Sequence, residues 1–331
     1  MIPPERTSTM TGILRHLLVA TDGSATAKRA ISFASAFARR HGSELLLCTV
    51  VDHAVAIAES STANGGFGIA VPIVQDLDDN ARAILAEALK SVTDAGVAAT
   101  TELLDGRSAQ AIVKLARERN VDAIVIGTQG KRGLERFFMG STADSVLRHT
   151  DVPTFVIPPG VGEAEPTFER MLVAIDDSDP SDAAVAFAHE YAKAESAQLV
   201  FCAVMETRDL YEASATYGYD PAPMRDELHA TASALVAAHA DRANPHEHPI
   251  ESVIAEGDPA EQILATAASR HVGSIIVGTH GRRGLRRFFV GSVAESVVRR
   301  STVPVVVVRA PRHLIESERE TALATSARCY T

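Results

Sequence analysis

The strongest constraint on this chain is that it carries one sequence pattern twice. "GTQGKRGLERFFMGS" at residues 127–141 returns as "GTHGRRGLRRFFVGS" at 278–292. Over residues 127–156 against 278–307, an offset of 151, 18 of 30 positions are identical. "LLVATDGS" at 17–24 likewise returns as "MLVAIDDS" at 171–178, now at an offset of 154. The three-residue difference falls in the poorly matching middle of each copy. Each copy is a domain of ordinary length, so the chain reads as two versions of one fold in tandem. The expected organisation is an extension over 1–13, a first domain over 14–158, a linker over 159–169, a second domain over 170–309 and a polar tail over 310–331. "PPGVGEAEPTFE", rich in Pro, Gly and Glu, marks the junction.

Within each copy, apolar runs alternate with helical periodicity. Strands are expected near 14–21, 44–51, 97–103, 121–127 and 153–157. Between them lie alanine-rich stripes: Ala27, Ala30, Ile31, Ala34 and Ala38, with Val185, Ala188 and Ala192 as counterparts. Ala109, Ile112, Val113 and Ala116 return as Ala260, Ile263, Leu264 and Ala267, behind a capping sequence of Asp258, Pro259 and Glu261. Strands apolar on both faces and separated by helices imply an α/β fold, a doubly wound parallel sheet in each copy. Ligands of such sheets sit beyond the carboxyl ends of the strands, where the winding direction reverses. The turns after strands 1 and 4 are therefore the places to look, and they are the segments that repeat best.

Each copy reads G-x2-G-x9-G-[ST]: Gly127, Gly130, Gly140 and Ser141, then Gly278, Gly281, Gly291 and Ser292. The first glycine ends a buried strand; the last glycine and serine open a helix. Free backbone N–H groups and the positive end of a helix dipole meet there, and phosphate is the anion that suits them. A plain alternative is a tight turn with a serine cap. After strand 1, Asp22 in "ATDGS" and Asp176 in "AIDDS" can accept from a ribose hydroxyl or base amine, or serve as helix-start residues. Neither a G-x-G-x-x-G after strand 1 nor a G-x-x-x-x-G-K-[ST] is present, which excludes the dinucleotide fingerprint and the P-loop.

On these residues both halves resemble the universal stress protein family, and the whole resembles its tandem members. The likeness covers about residues 14–309, and its most specific element is the doubled glycine signature of the ATP-binding branch. The resemblance implies two five-stranded sheets of order 3-2-1-4-5, adenine-nucleotide alpha-hydrolase-like, related by a pseudo-twofold axis. It also implies ATP, with Mg²⁺ carried alongside, at the strand 1/strand 4 crevice. Matched position by position, Asp22 and Asp176 would meet the adenosine part and Val50 and Val204 the adenine through their backbone, with Ala20, Thr21, Ala174 and Ile175 also in the ATP site. Gly127, Gly130, Gly140, Ser141 and Thr142 would hold ribose and phosphates in the first copy. Gly278, His280, Gly281, Gly291, Ser292 and Val293 would do so in the second. Two departures stand out: Gln129 where the second copy has His280, and Asp177 where the first has Gly23.

The arginines and lysine of the two loops could neutralise phosphates or form a solvated face, and Phe137, Phe138, Phe288 and Phe289 read as packing anchors. The last strands, "VPTFVIP" and "VPVVVVR", are apolar edges with a proline at the start; pairing them with each other would cover both. The resemblance implies the same intrachain pairing, since single-domain relatives commonly dimerise through that strand; a further homodimer is a separate expectation. His246 and His248 in "NPHEHP" read as exposed loop histidines rather than metal ligands. Cys48 and Cys202 read as buried apolar residues.

A formal net charge of −10 disfavours nucleic acid as a general partner, and no apolar run approaches the ~20 residues of a membrane span. With no signal-peptide core near the start, the expected location is the cytoplasm. Ser141 and Ser292 have no histidine partner identifiable from sequence, so the expected function is a nucleotide-dependent stress regulator with at most slow ATP hydrolysis. A nucleotide-independent interaction module is the alternative; an adenylating enzyme lacks its pyrophosphate loop after strand 1.

Overall fold

The computed structural model describes residues 14–64, 70–128, 139–159, 169–242, 248–279 and 290–309. Among the expected features, Gln129, Gly130, His280, Gly281, the basic and Phe-Phe parts of both loops, most of the linker, His246 and the two chain ends lie outside these residues.

The first unit runs β1 (His16–Ala20), α1 (Ala25–His41), β2 (Glu44–Val51), α2 (His53–Asn64), α3 (Ala70–Asp94), β3 (Ala99–Asp105), α4 (Ser108–Glu118), β4 (Ala123–Gly127), α5 (Ser141–His149) and β5 (Thr154–Ile157). The second repeats the order: β6 (Arg170–Ile175), α6 (Asp179–Glu195), β7 (Gln198–Met205), α7 (Arg208–Tyr217), α8 (Ala222–Arg242), β8 (Ile250–Glu256), α9 (Pro259–Ser269), β9 (Ser274–Gly278), α10 (Ser292–Arg300) and β10 (Val305–Val308). Ten strands form one sheet of order β3-β2-β1-β4-β5-β10-β9-β6-β7-β8. Pairing is parallel within each unit, and each half has the expected order 3-2-1-4-5. The two apolar edges meet in an antiparallel ladder, with Val305 opposite Val156, Val306 opposite Phe155 and Val307 opposite Thr154.

Alternation along the strands sends side chains to two cores. Leu17, Val19, Met171 and Val173 face α1, α3, α6 and α8, whereas Leu18, Ile124, Leu172 and Ile275 face α4, α5, α9 and α10. The expected alanine stripes are buried, as are Ala109, Ile112, Val113 and Ala116; Leu264 is only partly covered. Small residues let these helices lie close on the sheet. Asp258 caps α9 as expected, accepting from the Glu261 amide at 2.9 Å.

Where the units meet, Phe155 of β5 lies under helices from both. Its ring centroid is 5.6 Å from Phe33 and 6.0 Å from Phe37 of α1, and 6.2 Å from both Phe187 and Tyr191 of α6. Phe33 and Phe37 are the repeat counterparts of Phe187 and Tyr191, so equivalent aromatics converge across the pseudo-twofold. On the opposite face Arg309, just past β10, donates to the Leu147 and Arg148 carbonyls of α5 at 3.0 and 2.9 Å. That position suits a cation, because a helix C-terminus carries unsatisfied carbonyls and partial negative charge.

One expectation is overturned. His248 is buried, its ring centroid 4.9 Å from that of His189 on α6. The polar composition of "NPHEHP" describes the loop, but His248 precedes β8 against α6, where the tilted ring of His189 helps to cover it.

The two copies also reveal a local strain. Gly42 ends α1 with φ +69, whereas its counterpart Ser196 ends α6 with φ +51. Left-handed backbone disfavours any residue with a Cβ. Ser196→Gly is therefore expected to stabilise the chain by about 1 kcal/mol, read as a higher denaturation midpoint with an unchanged m-value.

Candidate functional site

In each unit the first strand has neighbours on both sides, and the chain winds outward in opposite directions from it. The crevice at the carboxyl ends of β1 and β4, and of β6 and β9, is thus the reversal point. One wall of the first crevice is the turn from β1 into α1. Thr21 is buried and its amide donates to the Cys48 carbonyl at 2.8 Å, fixing the turn to β2. The Ser24 amide donates to Asp22 Oδ1 at 2.9 Å, and Ser24 Oγ caps α1 by accepting from Ala27 at 3.2 Å. Asp22 is thereby oriented, half-buried, at the crevice.

The second crevice builds the same turn differently. Gly23 turns with φ +76, and a Cβ there would lie 3.1 Å from Ile84 of α3. Asp177, its counterpart, is exposed and has no left-handed backbone. Asp176 instead accepts from both the amide and the hydroxyl of Ser178, and its own amide donates to Ser181 Oγ at 3.0 Å. Behind it sits buried His239, 3.6 Å from Asp182. Burial pushes its titration below the ordinary histidine range, although Asp182 and the Asp176 backbone pull the other way.

The opposite wall is the junction of β4 with α5. The Thr128 amide donates to Ile157 at 3.0 Å and its carbonyl accepts from Gly140 at 2.7 Å, so the helix start is tied to the strand end. Thr279 repeats both bonds, donating to Val308 at 2.9 Å and accepting from Gly291 at 2.5 Å. Gly140 and Gly291 are the N-caps of α5 and α10 and make no side-chain capping bond. Gly140 has φ −62 and ψ 146, which any residue adopts, so its backbone does not demand glycine. Its effect is chemical: where Ser or Asp would occupy a first-turn amide, glycine leaves those amides for another acceptor. Ser141 and Ser292 are exposed at the first helical position, and Thr142 and Val293 are half-buried beside them. Val50 and Val204, near the ends of β2 and β7, are also half-buried.

The sequence reading missed Thr128. Its hydroxyl is buried, the residue being 4% exposed, and finds no hydrogen-bond partner among the described residues. A buried unpaired hydroxyl costs free energy, so a polar acceptor or donor arriving at this corner would be favoured. The only sequence signal was the repeated "GT" at 127–128 and 278–279.

The first glycine of each signature has a separate cause. A Cβ on Gly127 would lie 2.9 Å from the backbone carbon of Thr26, and one on Gly278 would lie 2.7 Å from that of Pro180. The first turns of α1 and α6 cross the strand ends so closely that only hydrogen fits. Gly278→Ala is expected to destabilise the ligand-free chain by about 1–3 kcal/mol, measured by thermal or denaturant unfolding.

Cys48 and Cys202 occupy equivalent buried positions in β2 and β7. Burial pushes the Cys48 thiol up to about 12, with Glu102 adding to the rise. Burial likewise pushes Cys202 up to about 11, a little offset by Thr266. A raised thiol stays protonated at neutral pH and is a poor nucleophile. Iodoacetamide at about pH 8 is expected to leave both unmodified in the folded chain and to label both after denaturation, as mass spectrometry would show.

Among the described residues no helix is long and apolar enough to cross a membrane, and no group of three or more His, Cys, Asp or Glu could hold a metal ion. The chain is 26% identical over 238 residues to a universal stress protein of Mycobacterium tuberculosis, covering 70% of this chain and 78% of that one. It is 25% identical over 301 residues to one from Mycolicibacterium smegmatis, covering 88% and 96%. In fold it is similar to a universal stress protein from Archaeoglobus fulgidus, with TM-score 0.63 and 22% identity over 90% of this chain and 99% of that one. A functionally unknown protein from Pseudomonas aeruginosa gives TM-score 0.58 and 18% identity over 94% and 98%. The model of the universal stress protein family matches residues 14–158 and again 167–309, and with the doubled crevice this makes the chain a tandem member of that family.

Proposed function

We propose that each unit binds an adenine nucleotide, ATP foremost, between its first and fourth strands, and that the chain acts as a nucleotide-dependent regulator. The observation that carries this reading is the junction built twice in the same way: a strand end tied by hydrogen bonds to an uncapped helix N-terminus, facing an oriented aspartate. The helix amides and the exposed serine would take the phosphates, and the orphaned Thr128 hydroxyl would gain a partner. Asp22 and Asp176 would accept from the adenosine part, with Val50 and Val204 beside the base. These groups bind and orient: Asp22 is held by the Ser24 amide, and Asp176 by the amide and hydroxyl of Ser178. Bound Mg²⁺ would supply charge neutralisation to the phosphates; with no residue assigned as a general base, at most slow hydrolysis is expected.

One observation favours the alternative of a nucleotide-independent interaction module. Gly127 and Gly278 answer to the close passage of α1 and α6, so one of the four signature positions in each unit would persist without a ligand.

Titration calorimetry of the full chain with ATP, with and without Mg²⁺, separates the two. About two nucleotides per chain are expected, with affinity at the altered site falling about tenfold or more in Asp22→Ala and in Asp176→Ala. Absence of binding heat and of thermal stabilisation by ATP would leave the interaction module as the function.

A further inference from the structure

We propose that the α7–α8 shoulder of the second unit is a docking surface for a cationic, partly apolar segment of a partner protein. Five large hydrophobic side chains are exposed among the described residues, and four of them fall between Tyr211 and Met224: Tyr211, Tyr217, Tyr219 and Met224. Tyr217 is 79% exposed and Met224 54%. The fifth, Val55, stands apart on α2. The corresponding stretch of the first unit, residues 52–79, holds no tyrosine and no methionine, so the fold itself does not require them.

Local hydrogen bonds brace the turn between α7 and α8. Leu210 is buried and anchors α7, and Gly218 ends that helix with φ 71, its amide on the Ser214 carbonyl. Tyr219 donates its hydroxyl back to the Leu210 carbonyl at 3.2 Å, and Ser214 Oγ donates to the Tyr219 carbonyl at 2.6 Å. Asp220 accepts from the Ala222 amide at 3.0 Å, which sets the start of α8. Aromatic area held this way costs little entropy when a partner arrives.

Charge selects the partner. Residues 206–227 hold six carboxylates against two arginines, and Arg225 is engaged by Asp226 at 2.9 Å. Such a surface repels phosphate backbones and anionic lipid, and a twofold contact between copies would set carboxylates against carboxylates. A segment of Arg or Lys with apolar neighbours meets both features, guanidinium over tyrosine face and ammonium beside carboxylate.

The test pans a phage-displayed library of random dodecapeptides against the full chain. Enriched peptides are expected to carry net positive charge, to bind more weakly as salt rises, and to lose about tenfold or more in affinity for Y217A/M224A. Because both side chains are exposed, that variant should keep its melting temperature, and Tyr217→Phe should keep binding. The proposal is overturned if nothing enriches, if the enriched peptides are neutral or acidic, or if they bind Y217A/M224A equally. Concentration-dependent self-association abolished by Tyr217→Ala would also overturn it, assigning the face to a second copy. ATP binding is measured separately and does not bear on either result.

Discussion

The antiparallel ladder between β5 and β10 is the contact on which the rest of this molecule depends. Each strand would otherwise be a bare apolar edge, with unpaired backbone groups ready to template another chain. Joined, they turn two sheets into one and bring Phe155 beneath α1 and α6, so that aromatics from both units share one core. Aromatic clusters of this size contribute more than their area alone. Because the ladder is antiparallel while every other pairing is parallel, the strands of the two units run in opposite directions. Their carboxyl ends, and hence the two crevices, open at opposite edges of the sheet.

The duplication supplies an internal comparison in which backbone constraints and side-chain choices separate. Asn120 and His271 are equivalent and both left-handed after α4 and α9, so the turn persists while the residue changes. The clip between first and third helices keeps its place but swaps its charges. Lys28 meets Glu87 at 2.7 Å in the first unit, and Asp182 meets Arg242 at 3.1 Å in the second. An exposed pair of either polarity contributes little, so drift between them is cheap. The turn after strand 1 behaves otherwise: Gly23 and Asp177 have different backbones, and although Asp22 and Asp176 both accept from the serine amide two residues on, Asp176 also accepts from the Ser178 hydroxyl. The two crevices share a plan but not their electrostatics.

The alternation of elements and the crevice position were legible in the residues, because periodicity and the parallel-sheet rules act over short spans of chain, whereas the strand order rested on the family resemblance. Asp258 as a cap and the buried alanine stripes belong to the same class. Phe33, Phe37, Phe187 and Tyr191 occupy equivalent repeat positions, but nothing along the chain marks them as meeting, since their contact exists only once the two edges pair. Thr128 was hidden for a similar reason: whether a hydroxyl is satisfied depends on neighbours brought by β5 and α5. His248 was misjudged because loop composition does not report which element passes overhead.

The family resemblance supplied the strand order; by itself, then, the sequence determined a duplicated α/β unit and the two turns that face each crevice. Those follow from local hydrophobic pattern and from spacing that no tertiary context can alter. Only the tertiary structure decided why the first glycine of each signature is a glycine. Read along the chain, Gly127 and Gly278 are phosphate-loop residues; in space, Thr26 and Pro180 leave no room there for a methyl group. Close approach between segments far apart in sequence is a property of three-dimensional packing, and a motif written along one dimension cannot encode it.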